Sequence, residues 1–205
     1  LQTLMKGSIR YSWSLIFYGV AGIFLAFVLW HSKALPKPNS DKGLTGNIVF
    51  SDVLNELWTT IKSFFTKMPV KEVVIATCFM LLYRMPEGLL AKISPLFLIE
   101  PQSAGGLGLS PQEIGLVQGT VGVIGLTLGG ILGGVLVSRD GLKKWLWPMV
   151  CAITIPDAVY IYLSIALPDN LLIINACIAT EQFGYGFGFT AYMMYLIYYS
   201  RGEHK

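Results

Sequence analysis

The chain has 205 residues, of which 54% are hydrophobic and only 13% charged, with a formal net charge of +3 and a mean hydropathy of +0.60. A soluble domain carries nearly twice that share of charge, about 25%, so these values exclude an ordinary water-soluble enzyme and point to a polytopic helical membrane protein. Cys78, Cys151 and Cys177 all fall in apolar stretches; an odd number of thiols placed there predicts small buried packing residues rather than a disulfide framework.

Leu1 to Arg10 is a short polar lead with no cleavable signal peptide, and Tyr11 to Trp30 is the first spanning segment, with Tyr11, Trp13 and Trp30 as interfacial aromatics. His31 to Gly46 is a polar linker containing Pro36, Pro38, Lys33, Lys37 and Lys42. From Ser51 to Met68 the apolar residues Leu54, Leu57, Trp58, Ile61, Phe64, Phe65 and Met68 recur at helical spacing opposite a polar face. That pattern predicts an amphipathic helix on the membrane surface or against the bundle.

Val70 to Ile99 is the second span, interrupted by Pro86 and Pro95 and carrying Arg84, Glu87 and Lys92. After a glycine-rich turn, Glu100 to Leu109, a capping box opens the third: Ser110 and Glu113 satisfy each other's backbone donors, and Pro111 takes the first helical position. Ile114 to Val137 contains no charge, about the length needed to cross a bilayer core. Its glycines at 115, 119, 122, 125, 129 and 133 predict close packing against neighbours on several sides. A basic turn, Ser138 to Lys144, leads into Trp145 to Leu167, which is broken by Pro148 and Pro156; Asp157 reads as a cap where that helix restarts. Pro168 to Asn170 turns the chain into the last span, Leu171 to Tyr199, which holds Asn175, Glu181, Gln182 and a GYGFGF run before the polar Ser200 to Lys205.

The basic residues set an expected orientation. Arg139, Lys143, Lys144, Arg201, Lys205 and the Lys33 to Lys67 region share one side, whereas Glu100 to Leu109 and Pro168 to Asn170 contain neither Lys nor Arg. The linker, the surface helix, the basic turn and the C-terminus are therefore expected in the cytoplasm, with Lys6 and Arg10 the exception.

The run from Gly134 through Arg139, Asp140, Gly141, Lys143 and Lys144 resembles the cytoplasmic loop signature of the major facilitator superfamily. Ser138 replaces the usual acidic residue, which fits the weaker copy of that signature between helices 8 and 9. On this resemblance the chain is part of a 6+6 bundle: helix 6 (residues 1–32), the central linker (33–69) and helices 7 to 10 (70–205), with the remaining helices of the parent transporter absent. A narrower likeness, to the branch of AmpG-type muropeptide permeases and acetyl-CoA transporters, rests on Tyr83 to Gly88, Gly105 to Ser110 and Glu181 to Gly188. It implies a bacterial inner-membrane permease for a muropeptide or similar solute, with lipid, solute and protons as partners and no nucleic acid.

Arg84, Glu87, Glu181 and Gln182 are the expected substrate and proton pathway, because charges at membrane depth are costly and rarely idle. Glu87 lies one turn after Arg84, either as a proton site held ionised by the arginine or as a structural ion pair. Glu181 either carries a proton or hydrogen-bonds another helix. Lys92 is expected to snorkel outward, and Gly184, Gly186 and Gly188 fit a hinge or close packing equally. Gly134, Arg139, Asp140, Gly141, Lys143 and Lys144 form a gating latch, a topology signal, or both. No catalytic constellation, metal-ligand spacing or phosphate loop is present, so an enzyme is not expected and no cofactor or metal is implied. A non-transporting membrane scaffold is the alternative.

Overall fold

The computed structural model describes residues 9–35, 50–66 and 69–200. The described residues are helical with no strand. Six helices follow in order: α1, Ile9–Ala34; α2, Phe50–Thr66; α3, Val70–Ile99; α4, Pro111–Asp140; α5, Leu142–Ala166; and α6, Leu171–Ser200. Four of them, α1, α3, α4 and α5, are long and apolar enough to cross a membrane. Helix α6 matches them in length at 30 residues, but Asn175, Glu181, Gln182 and its tyrosines dilute its apolar character. The linker prolines and lysines from 36 to 49, Lys6, and the C-terminal Arg201 and Lys205 lie outside the described residues.

The chain divides into two compact units, Leu1–Trp58 and Thr59–Lys205. In the first, the apolar side chains of α1 are exposed almost throughout, as are Leu54, Leu57 and Trp58 of α2. The second is a bundle of α3 to α6. Helix α4 begins with the expected capping box: the Glu113 N–H donates to Ser110 Oγ at 3.3 Å, and the Ser110 N–H donates to Glu113 Oε2 at 2.8 Å. Its course is not uniformly α-helical, because Val117–Gly122 form a π-turn. Helix α5 likewise tightens to a 3-10 turn at Ile155–Ala158, where Pro156 removes a backbone donor.

Glycines set the helix spacing. A Cβ at Gly129 would collide with the Phe183 carbonyl of α6, and one at Gly125 would meet the Ala179 carbonyl at 2.8 Å. Gly115, Gly119 and Gly134 have nothing within 4 Å. The α4 glycines from 122 to 133 therefore serve one partner, α6, rather than several neighbours. The GYGFGF run is a packing device on two sides. Gly186 abuts Leu126 of α4, while Gly184 and Gly188 abut Ala152, Met149 and Ile153 of α5. Carbonyl oxygens against the glycine Cα leave no room for any larger residue.

Two apolar clusters cap the bundle. Leu98, Leu107, Leu109, Val117, Leu163, Ile174 and Ile178 form one, and Val137, Met149, Phe187 and Ala191 the other. The 100–109 loop folds onto the first cluster through backbone bonds from Leu107 N–H to the Phe97 carbonyl and from Leu109 N–H to the Leu98 carbonyl, both 2.9 Å. At the same end, the Gln102 amide donates to Asp169 Oδ1 at 2.7 Å, tying the two Lys/Arg-free connections together. All three cysteines are free thiols, but two depart from the expected packing role: Cys78 and Cys151 are exposed on outward helix faces. Cys177 is half-buried and packs against the first apolar cluster as expected.

Candidate functional site

Between the two apolar clusters the bundle turns polar. Along α6, Glu181 falls between Ile178 of one cluster and Phe187 of the other. Glu181 is 3% exposed and Glu87, on α3, is 9% exposed. Asp157 joins them from the 3-10 turn of α5, and the carboxylate oxygens of all three lie within 4.8 Å of one another. Each of three helices thus contributes one acid to a single point. Asp157 is not at a cap position, since Thr154 precedes the 3-10 turn and Ala158 the helix that restarts after it, so its expected capping role gives way to membership of this cluster. The tightened turn after Pro156 brings its side chain inward. An Asp directly after a proline in mid-span was the sequence signal for it.

A cavity of about 230 Å³ opens beside the acids, lined by Glu87, Ser94, Gln118, Glu181 and Gln182 among others. Gln118 belongs to the π-turn of α4; such turns recur at functional sites because they re-aim one side chain. Ser94 precedes Pro95, where α3 forgoes a backbone donor. The Gln182 amide donates to both Glu181 oxygens, at 3.2 and 3.0 Å. Glu87 Oε2 is buried without any hydrogen-bond partner.

Arg84 does not pair with Glu87. Its Nη1 donates to the Tyr185 hydroxyl at 2.7 Å, and its guanidinium lies 5.1 Å from the Phe189 ring centroid and 5.7 Å from that of Tyr185. The ionic bond suggested by their spacing is replaced by a polar and cation–π anchor on α6. One residue earlier, the Tyr83 hydroxyl donates to the Gly188 carbonyl at 2.7 Å. None of the three acids takes part in an ion pair. Lys92 is exposed and outside the cavity lining. Of the four expected pathway residues, the structure gathers Glu87, Glu181 and Gln182 and sets Arg84 on the neighbouring aromatic face.

At the start of α5, the α4–α5 turn centres on Asp140. Arg139 Nε donates to Asp140 Oδ1 at 3.1 Å, and Lys144 Nζ and Trp145 Nε1 donate to Oδ2 at 3.2 and 3.0 Å. Gly141 turns the chain at φ +84°, a conformation that favours glycine. Lys143 is exposed.

No protein-family model matches the chain, and no solved structure matches it. It is similar to an uncharacterized protein of Haemophilus influenzae, 20% identical over 192 residues. That match takes in 91% of this chain and 43% of the relative, so the chain spans less than half of that protein's length.

Proposed function

We propose that this chain is part of a secondary active transporter of the bacterial inner membrane, moving a solute by proton-coupled alternating access. The observation that carries the reading is the Glu87–Asp157–Glu181 cluster beside a cavity, with both glutamates buried and Asp157 half-buried, midway along three long helices. Charged groups at that depth mark ion and substrate pathways. In this reading α6 is a fifth span despite its polarity, since Glu181 and Gln182 line the cavity and Tyr185, Tyr192 and Tyr195 contact α3. Helix α2 lies on the membrane surface, and the Asp140 turn faces the cytoplasm together with the linker and the C-terminus.

The resemblance to the major facilitator superfamily supplies the wider architecture, with the chain as helices 6 to 10 of a twelve-helix parent and a muropeptide or similar solute as cargo. The rival scaffold role draws on the glycine-packed α4–α6 interface, but association alone gives no reason to gather three acids at one point inside the bundle.

The test uses the full-length protein in proteoliposomes under an imposed pH gradient. Glu87→Gln and Glu181→Gln are expected to abolish gradient-driven muropeptide uptake at unchanged incorporation. Uptake that survives both substitutions would remove these residues from the coupling pathway.

A further inference from the structure

We propose that Glu87, Asp157 and Glu181 also form a binding site for a hard divalent cation. Three observations converge on it. First, the ligand set is oxygen only: three carboxylates, with neither His nor Cys in the cluster. Oxygen ligands of this kind suit calcium, magnesium and manganese rather than zinc or copper.

Second, the spacing fits. One oxygen from each acid lies within 4.8 Å of the other two, and oxygens on opposite sides of a calcium ion, each at about 2.3–2.6 Å, lie about 4.6–5.2 Å apart, so one ion can draw on all three. Ser94 and Gln118 in the adjoining cavity offer further oxygens.

Third, and independently of the clustering, Glu87 Oε2 is buried with no partner in a side chain lining that cavity. Buried charges are paired or coordinate metals, and here no basic residue is paired with any of the three. Ionised carboxylates this close repel one another. A divalent ion offsets most of that charge at once, and it would compete with protons for the same oxygens.

The inference deepens the transport reading by naming an ion for its acid cluster, yet binding itself is measured without any gradient. Full-length protein in detergent, stripped of metal with a chelator, is titrated calorimetrically with calcium chloride in sodium chloride buffer at neutral pH. One saturable site per chain is expected. It should be lost in Glu87→Gln, Asp157→Asn and Glu181→Gln but retained in Glu72→Gln, which alters an exposed acid at the start of α3. No saturable binding by the unaltered protein, or equal binding by the three cluster variants, overturns the proposal. Absent calcium binding alongside gradient-driven uptake that still needs Glu87 and Glu181 overturns the cation site alone. Calcium binding without gradient-driven uptake overturns the transporter alone.

Discussion

An arginine removed from water needs its charge compensated, and Arg84 finds that on α6 from a hydroxyl and two aromatic rings. Tyr185→Phe deletes the hydroxyl acceptor while keeping the ring, so it isolates the hydrogen bond from the cation–π contact. A loss of about 1 kcal/mol is expected, read as a lower thermal midpoint in detergent; an unchanged midpoint would mean the rings alone hold the guanidinium. Which residues were chemically costly was legible in the sequence, since Arg84, Glu87, Glu181 and Gln182 stand out against apolar runs. Their pairing was not. The three-residue spacing of Arg84 and Glu87 suggested an ion pair, but which neighbour a helical side chain reaches is decided by the helix packed against it, and α6 offered Arg84 a better partner. Asp157 was misread for a related reason: next to Pro156 it has the local appearance of a cap, and only the tertiary fold sets it beside two acids from other helices.

At the scale of elements, helix limits followed closely from local chemistry. The Ser110–Glu113 box, the prolines and the basic turn marked starts and stops that the structure reproduces. Partner choice did not follow, because a glycine stripe signals close approach without saying to what. Gly129→Val is expected to push α4 from α6 and cost about 1–3 kcal/mol or more, lowering the yield of monodisperse protein in detergent. Gly115→Ala, with nothing within 4 Å, should leave that yield unchanged. Equal tolerance of both substitutions would contradict the α4–α6 contact. The same packing gives the GYGFGF run its purpose: its glycines seat α6 between α4 and α5, and thereby hold Glu181 at the height of Glu87 and Asp157.

Across the whole second unit, the two connections that lack Lys and Arg are joined by the Gln102–Asp169 bond, while the Asp140 turn gathers Arg139 and Lys144. Positive residues are retained on the cytoplasmic face, so the ends of the bundle should label from opposite sides. In a cysteine-free background, Asp169→Cys is expected to react with a membrane-impermeant maleimide in intact cells, and Lys143→Cys only after permeabilisation. The reverse pattern would invert the proposed orientation. Apolar runs and turn residues made the helical class readable from sequence, and four of the five expected spans are long and apolar enough to cross a membrane. The status of α6 was harder to read, because the residues that give it chemistry are those that make it less apolar.

The π-turn at Val117–Gly122 works as a one-residue phase shift in α4. In an unbroken α-helix, Gly115, Gly119 and Gly122 would lie along one stripe with Gly125, Gly129 and Gly133; here the stripe meets α6 only from Gly122 onward. Each residue of an α-helix advances about 100° around its axis. Rewinding the turn as regular α-helix at unchanged length would therefore rotate everything before it by about that angle. The glycine stripe would become continuous, and Gln118 would swing off the cavity wall. Helix α4 thus keeps its clock a residue out of step, exchanging a longer contact with α6 for an amide beside the acids.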